Sequence, residues 1–241
     1  MKQQSFVLVF FTALFILFCH TIVEAQWGTR GNGDVTKQTR KVSNFDAVSV
    51  GGGIDLYIRQ GSSYEVVVET DENLQDLIRT EVRGDRLKIY VEKSIWRSEE
   101  MNVYVTLPQL NELMASGGSD VYSKGTIRSD EFKLNANGGS DVHLELDVNT
   151  LIANASGGSD TELRGTVERM ELSASGGSDF DGRDVQVNYA KIRASGGSDS
   201  YIHVNKEVDI EASGASDVYL YGDAKIIHKS VSGASDFHRR S

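Results

Sequence analysis

Cysteine and proline are almost missing from this sequence. The 241 residues include one cysteine, Cys19, and one proline, Pro108. Cys19 falls in a segment that we expect to be removed, and the bulky Phe18 before it disfavours lipid attachment there. The rest of the chain therefore has no thiol for a disulfide, for a cysteine-ligated zinc site or for a catalytic nucleophile. Packing and backbone hydrogen bonds must hold the protein together.

Positive charge and long apolar runs are also scarce. The 25 Lys and Arg residues are outnumbered by 35 Asp and Glu, which gives a formal net charge of −10 at pH 7. Nucleic acids and anionic lipids attract clustered Lys and Arg, so this balance argues against both as partners. Beyond the N-terminal segment no apolar stretch approaches the length of a membrane span, and we expect no transmembrane anchor.

The N-terminal segment has the pattern of a secretory signal. Lys2 precedes an almost unbroken apolar run over residues 6–18, and Val23 and Ala25 supply the small residues that a signal peptidase accepts. The run is too short for a permanent membrane anchor. Residues 1–25 are therefore predicted to be a signal peptide, and the mature protein is predicted to be exported.

A five-residue block recurs through the second half of the chain. It reads Ser-Gly-Gly-Ser-Asp, with Asn replacing the first Ser once and Ala replacing the second Gly in the last two copies. Successive blocks lie 18 to 21 residues apart, a regularity that a flexible glycine-rich linker would not need. A weaker copy, residues 51–55, ends 65 residues before Asp120, which leaves room for a little over three further coils. The seven blocks end at Asp120, Asp141, Asp160, Asp179, Asp199, Asp217 and Asp236.

Apolar residues flank each block at every second position. They stand nine, seven and five residues before the Asp and three residues after it, and Ala dominates the place five before. Alternation with a period of two predicts strands with one buried face. Lys229 interrupts the column seven residues before the Asp, in the last copy only. The column nine residues before the Asp consists of Phe132, Leu151, Met170, Ala190, Val208 and Ile227.

A unit of strand, glycine corner and strand cannot bury its apolar face alone. Stacked units can, because the strands of each coil pair with those of the coils on either side. The repeat therefore predicts an all-β fold, a right-handed parallel β-helix (β-solenoid) with coils of about 19 residues, over residues 41–241.

The region before the first full block is less regular. Residues 66–68 and 87–91 have strand character, and residues 73–79 are predicted to form a short helix. We expect residues 41–110 to form the first coils and a cap of the stack. Residues 26–40 are polar and contain glycine, and they are predicted to be a flexible leader.

Several motifs of the chain are those of a known family. They are residues 45–48 leading into 51–55, residues 103–108 followed by Leu110, the repeated corners, and the closing block over 232–236. On these residues the chain resembles the putative auto-transporter adhesin, head GIN domain family of Gram-negative envelope proteins. Family members usually carry Ser-Gly-x-Gly-Asp-like corners, whereas here Ser precedes the Asp. The resemblance implies a right-handed β-helix, an envelope location and an adhesin-like role, and it brings no catalytic residues.

The corner aspartates have two non-catalytic interpretations. The preferred one is structural: Ser and Asp in each corner cap backbone N–H groups, as Ser- and Asx-type turns do. The other is a calcium ladder on the seven aspartates, because stacked carboxylates repel and calcium favours several oxygen ligands. The calcium-binding nonapeptide repeat is only superficially similar, since it recurs every nine residues. No other cofactor is expected.

Catalysis is the third interpretation. Polysaccharide-cleaving enzymes place carboxylates in one local cluster, whereas these aspartates recur along the whole stack. The histidines form no Ser-His-Asp or paired-His pattern. We therefore predict no enzymatic activity, with a β-helix polysaccharide lyase or hydrolase as the alternative. The histidines beyond the signal segment are His143, His203, His228 and His238.

Two further motifs have simple structural explanations. Arg83-Gly84-Asp85 spells an integrin-type tripeptide, but Gly-Asp between strands first indicates a tight hairpin turn. Tyrosines are ordinary strand residues, although outward-facing ones would form a sugar-stacking face. The tyrosines in question are Tyr57, Tyr90, Tyr104, Tyr122, Tyr201, Tyr219 and Tyr221.

Together these observations predict an exported, non-enzymatic, adhesin-like binding or scaffolding module of the cell envelope. Its location would be the periplasm, the outer-membrane surface or the exterior, and its partner an envelope protein or a glycan. A solenoid suits such partners because it offers a long, rigid and repetitive face. The rivals are the polysaccharide lyase or hydrolase and a calcium-binding component of envelope stress or assembly.

Overall fold

The computed structural model describes residues 28–240, and this part of the chain is almost entirely β-strand. The predicted signal peptide lies outside the described residues. A short 3-10 helix, Glu72–Leu77, separates the fifth and sixth strands. In chain order the strands are β1 (Thr29–Arg30), β2 (Val35–Arg40), β3 (Ala47–Gly51), β4 (Asp55–Gln60), β5 (Glu65–Asp71), β6 (Ile78–Arg83), β7 (Arg86–Val91), β8 (Ile95–Arg97), β9 (Met101–Leu107), β10 (Glu112–Ser116), β11 (Asp120–Gly138), β12 (Asp141–Gly157), β13 (Asp160–Ala174), β14 (Asp179–Ala194), β15 (Asp199–Ala212), β16 (Asp217–Tyr221), β17 (Lys225–Val231) and β18 (Asp236–Arg240).

The strands from β10 onward form a stack of coils. Each pairs in parallel with the strand one coil earlier, so that Asp141 lies beside Asp160 and Asp160 beside Asp179. This pairing places equivalent residues of successive coils in straight columns. The predicted parallel β-helix with coils of about 19 residues is therefore confirmed.

The alternating residues face a continuous apolar core. The Ala column five residues before each corner Asp is buried, as its small size at the turn requires. One residue after the corner, the ring of Phe180 lies between Thr161 and Ser200 of the neighbouring coils, and all three are buried. Two small neighbours thus make room for one large side chain, which keeps the interior close-packed.

From the second full block onward, the two positions that follow the opening Ser or Asn of each block differ in backbone conformation. The first is left-handed, as at Gly176 with φ of 75°, whereas Gly177 has no positive φ. An ideal Cβ on Gly176 would meet the carbonyl oxygen of Gly157 at 2.9 Å. In these corners only the first position therefore requires glycine. The second accepts a side chain, which explains Ala215 and Ala234 in the last two corners.

The corner serines point inward and are buried. Their partners vary. In three corners the hydroxyl donates to a carbonyl of the preceding coil, whereas Ser119 Oγ accepts the Ile54 N–H and Ser216 Oγ donates within its own turn to the Ser213 carbonyl. Ser159 Oγ donates to the Ala136 carbonyl at 3.2 Å, and Ser178 Oγ to the Ala155 carbonyl at 3.2 Å. These bonds tie successive coils together.

The early corner lies directly against the first full block. The Gly53 N–H donates to the Gly117 carbonyl at 3.1 Å, and the Ile54 N–H to Ser119 Oγ at 3.1 Å. β3 pairs with β10 and β4 with β11, so the 65 intervening residues do not add three stacked coils. Four of their strands form antiparallel pairs instead, β5 with β9 and β6 with β7. The β6–β7 connection is the predicted Gly84-Asp85 hairpin turn, with φ of 67° at Gly84.

The leader is more ordered than the sequence predicts. Within described residues 28–40, β1 pairs with β8 and β2 runs antiparallel to β5. The buried Asp71 carboxylate accepts hydrogen bonds from the Gly33 N–H at 2.6 Å and the Glu99 N–H at 2.9 Å. This clasp holds a polar segment in place without apolar side chains, which is why composition alone suggested flexibility.

The last coil departs from the repeat. Ile226, not Ile227, pairs with Val208, and a bulge turns Ile227 outward with 56% of its surface exposed. The expected place of Ile227 in the apolar column is therefore wrong, because β17 carries one extra residue there. Lys229 pairs with Ile210, and its Nζ lies 4.9 Å from the Phe237 ring centre.

Candidate binding face

The corner aspartates form one continuous acidic column. All seven predicted positions lie in register along the stack, and Asp55 extends the column beside Asp120. Burial, then the charges of Asp160 and Asp199, raises the pKa of Asp179 above its ordinary value. Burial, then Asp120 and Glu100, likewise raises the pKa of Asp55. The acidic column comprises Asp55, Asp120, Asp141, Asp160, Asp179, Asp199, Asp217 and Asp236.

A column of stacked rings runs beside the acidic column. The Tyr57 ring stacks on Tyr104 and Tyr122 with centroids 5.1 and 5.5 Å apart. His143 continues the stack 5.3 Å beyond Tyr122. A second stack has centroid distances of 4.6 and 4.8 Å. The ring column comprises Tyr104, Tyr57, Tyr122 and His143 in the first stack and Tyr201, Tyr219 and His238 in the second.

This stacking changes the hypothesis that the outward-facing tyrosines form a sugar-stacking face. The rings cover one another's faces, so mainly their edges and hydroxyls reach solvent, and free faces occur only at the stack ends. Tyr90 lies outside the column, in the β6–β7 hairpin, where its hydroxyl donates to Glu81 at 2.9 Å. A hydrogen bond from Tyr104 to Glu69 at 2.7 Å, together with burial, raises the pKa of Tyr104 to about 12.

Basic side chains form a third, interrupted column. They stand four residues after five of the eight corner Asp residues, and Glu145, His203 and Tyr221 take that place in the other three coils. Lys124 Nζ lies 4.5 Å from the Tyr57 ring centre, and the Arg183 guanidinium lies 5.3 Å from the Tyr201 ring centre. Such cation–π contacts hold the long side chains against the ring column. Together the three columns make one outward surface, here called the ladder face. The basic column comprises Arg59, Lys124, Arg164, Arg183 and Arg240.

Sequence reasoning found seven of the eight members of the acidic column, all but Asp55, and the ring column in part. It missed His143 and His238 as ring-column members, and it missed the basic column. The signal was available: counting two and four residues on from each Asp would have shown both columns. What the count could not show is that the rings stack on one another.

The histidines beyond the signal segment do not cluster, although His143 and His238 share the position two residues after the corner Asp. His143 and His238 end the two ring stacks, and His228 lies on a different face, 2.9 Å from Asp209. Ligand atoms of Asp209, Glu211 and His228 come within 4.8 Å of one another, a spacing that a metal ion could use. Lys191 and Arg193 pair with the same carboxylates at 3.7 and 3.3 Å, so this cluster is explained by ion pairs.

The calcium prediction rests on the acidic column. The acidic column has one carboxylate in each coil, so each carboxylate has at most two others of the column near it as possible partners in binding a calcium ion. In the last pair, Asp217 Oδ1 accepts the Asp236 N–H at 3.2 Å, a cap that links neighbouring coils. The structural and calcium roles both stay predictions.

The fold and this surface define a β-solenoid that presents one long, open and repetitive face. Within residues 28–240, no helix has the length and apolar content needed to cross a bilayer. The chain belongs to the family described as putative auto-transporter adhesin, head GIN domain, whose family model matches residues 44–224. The resemblance seen in the sequence is thereby confirmed. No curated protein matches the sequence.

Solved structures from Bacteroides and Parabacteroides species share the fold. A putative adhesin from Bacteroides fragilis superposes with a TM-score of 0.83 at 19% identity, over 88% of this chain and 100% of its own. A putative adhesin from Parabacteroides merdae gives 0.68 at 20% identity, over 88% and 99%. A protein described as a putative lipid binding protein, from Parabacteroides distasonis, gives 0.69 at 20% identity, over 88% and 99%. At these identities the likeness establishes the fold alone.

Proposed function

We propose that this protein is an exported, non-enzymatic, adhesin-like binding module of the cell envelope. It would act in the periplasm, on the outer-membrane surface or outside the cell, and would hold an extended glycan or an envelope protein. The observation that carries the proposal is the ladder face, where acidic, aromatic and basic columns run side by side along the stack.

The dimensions of the ladder face suit a long partner. Eight rungs at the strand spacing extend over about 35 Å. Because every rung is fixed by backbone pairing to its neighbours, the face needs little ordering when a partner binds. Polar groups repeated at one spacing favour a polymer that repeats along its own length.

One local feature favours the second candidate, a polysaccharide lyase or hydrolase. Lys124, His143 and Arg164 lie together beside Glu145 and Glu162, and this group does not recur in other coils. A base, a carboxylate and cations in one place are what cleavage of a charged glycan needs. Binding remains the first candidate because the acidic column continues along the whole stack, and rings and basic side chains recur on both sides of this one group.

The test compares two charge-reversed variants of the purified chain. Asp160→Lys with Asp179→Lys changes the ladder face, whereas Glu171→Lys with Glu207→Lys makes the same charge change on another face. Each is tested for retention of glycans and envelope fractions. We expect the first pair to abolish the retention seen with the unsubstituted chain and the second to preserve it. Equal retention by both pairs contradicts the proposal, and release of cut glycan establishes the lyase or hydrolase instead.

The calcium-binding alternative is tested by thermal unfolding with added calcium and with a chelator. A calcium ladder would raise the melting temperature of the unsubstituted chain and not that of the Asp160→Lys, Asp179→Lys variant. An unchanged melting temperature rules it out. Running the retention assay in both conditions shows whether calcium affects partner binding.

A further inference from the structure

The ring column is interrupted, and a hollow lies at the interruption. The first stack ends at His143, since the next two coils place Glu162 and then Asp181 where rings would stand. Beside His143 is a hollow of about 320 Å³ lined by Tyr122, Lys124, Glu162 and Arg164 among others. That volume is at the lower end of the ~300–1,000 Å³ of small-molecule sites. We call it the ring-end hollow.

His143 offers a ring platform to this hollow. Its ring is parallel to Tyr122 within 2°, so one face is covered and the other is turned toward the coil that carries Glu162. The side chain of His143 is 44% exposed. Elsewhere in the first stack both faces of a ring are occupied, as Tyr57 between Tyr104 and Tyr122 shows. The stack therefore ends at the hollow, with no further ring over the second face of His143.

The charges around the hollow differ from those of the whole protein. Lys124 and Arg164 both line it, and Glu162 is the single carboxylate in its wall. Arg164 reaches Glu145 at 3.2 Å, and Glu162 Oε2 lies 3.3 Å from His143 Nδ1. With Glu145 counted beside Glu162, two cations balance two carboxylates around the hollow, on a chain whose net charge is −10. Because the whole chain is negatively charged, it does not attract anions at long range. An anionic ligand must therefore gain its affinity from short contacts with Lys124 and Arg164.

We infer that the ring-end hollow binds a carboxylated sugar residue of an acidic glycan, a hexuronate or a sialic acid. The inference rests on the proposed function and names its ligand class. The sugar carboxylate would pair with Lys124 and Arg164, the C–H face of its ring would pack on His143, and its hydroxyls would donate to Glu162. A neutral sugar leaves both cations unused, and an acidic peptide lacks the rigid ring that the His143 face would accept.

The experiment measures affinity of the full chain by calorimetry for matched pairs of sugars. One pair is hexagalacturonate and its complete methyl ester, and the other is sialyllactose and lactose. The pairs separate a uronate source from a sialic acid source. Polyglutamate supplies carboxylates without sugar rings. We expect at least one charged sugar to bind about tenfold more tightly than its neutral partner, the range of one charge-assisted hydrogen bond, and polyglutamate not to compete.

Three variants locate the site. Lys124→Gln and Arg164→Gln should each weaken the charged sugar about tenfold and leave the neutral one unchanged. Glu162→Tyr should abolish binding, because a ring at that position continues the stack over His143 and fills the hollow. Since rings already occupy this column at Tyr122 and Tyr201, the variant should keep its melting temperature. Lys191→Gln, which removes a cation on another face, is the matched control.

Several results would overturn the inference. They are equal affinity for charged and neutral sugars, full competition by polyglutamate, and unaltered binding in Glu162→Tyr. If no sugar binds while the unsubstituted chain still retains envelope material on its ladder face, the hollow is not the site and the proposed function stands. If neither sugar nor envelope material is retained, both fail.

Discussion

At the scale of single residues, the two glycines of one corner give a matched test of the coil. Gly176→Ala places a Cβ 2.9 Å from the Gly157 carbonyl oxygen at φ of 75°, whereas Gly177→Ala places one 3.7 Å from the same oxygen. We expect Gly176→Ala to lower the free energy of unfolding by about 2 kcal/mol or more, since left-handed alanine alone costs about 1–2 kcal/mol. Gly177→Ala should change it by less than about 0.5 kcal/mol. Denaturant midpoints measure both, and equal losses contradict this account of the corner.

A second residue-scale prediction concerns repulsion in the acidic column. The pKa of Asp179 is raised by burial and by Asp160 and Asp199, against a weaker hydrogen bond from the Asp199 N–H. Because the pKa of Asp179 is higher in the folded chain than in the unfolded chain, its carboxyl contributes stability only in acid. That contribution is complete below the unfolded-state pKa of about 3.9 and is lost as pH rises through the folded-state pKa. At neutral pH each neighbouring carboxylate costs about 0.9 kcal/mol in water at 4.8 Å, less after salt screening. With two such neighbours, Asp179→Asn should stabilise the protein by up to about 1.8 kcal/mol at neutral pH and low salt, less the contribution of the Asp199 hydrogen bond.

The pH and salt dependence separate this repulsion from other roles of Asp179. The gain should shrink in high salt and vanish in acid, once pH falls below the pKa of Asp179 and its carboxyl is neutral in both states. Asp223→Asn removes an exposed carboxylate outside the column and should give no comparable gain. If Asp179→Asn destabilises at neutral pH, capping or cation binding outweighs repulsion.

At the scale of the element, the sequence predicted the coils, whose strands and corners follow a local repeat. It did not predict the order of the leader or the bulge in the last coil, which depend on contacts with distant residues. Alternation and corner spacing define the coils, because a register shift of one residue would turn every apolar side chain outward. The order of residues 28–40 depends on Asp71, more than thirty residues away, and no pattern near the leader shows that contact. The bulge at Ile227 is similar: the spacing of the last coil also fits a regular strand. For the site, the acidic column was predictable, whereas the ring-end hollow arises from contacts between coils.

The clasp at Asp71 gives the element-scale prediction. Burial acts to raise the pKa of Asp71, but hydrogen bonds from the Glu99 and Gly33 N–H groups outweigh it, and the pKa lies below its usual value. Asp71→Asn turns an amide toward these donors and should cost about 2–3 kcal/mol at neutral pH. It should also free β1 and β2 for cleavage after Arg30 or Lys37 in limited proteolysis.

The sign of the pH dependence follows from the lowered pKa. The stability that Asp71 contributes is present above its unfolded-state pKa of about 3.9 and is lost as pH falls through its folded-state pKa. The difference between the unsubstituted chain and Asp71→Asn should thus narrow in acid. Asp34→Asn, an exposed carboxylate on the same segment, is the control. A leader that stays protected from protease in Asp71→Asn rules out the clasp.

At the scale of the whole molecule, the last coil shows how an open strand edge is kept from pairing. Within residues 28–240, β17 pairs only with β15 and β18 only with β16, so their outer edges are unpaired. Ile227 and Val231 are exposed there. Such an edge would template a further strand unless a charge opposes it, and inward-pointing charges are a known protection. Lys229 stands in the column that otherwise holds Leu, Ile or Ala, and it supplies that charge.

Replacing this charge should change the association of the chain. In Lys229→Leu the end of the core becomes apolar, and a second copy can stack its end coil there and bury the introduced leucine together with Phe237. We expect assemblies that grow with concentration in sedimentation or light scattering, relative to the unsubstituted chain, with no loss in melting temperature. Lys225→Leu adds the same apolar group at the exposed start of β17 and should not associate. If both variants associate alike, general surface hydrophobicity is the cause; if neither does, the edge is protected by its bulge and twist rather than by Lys229.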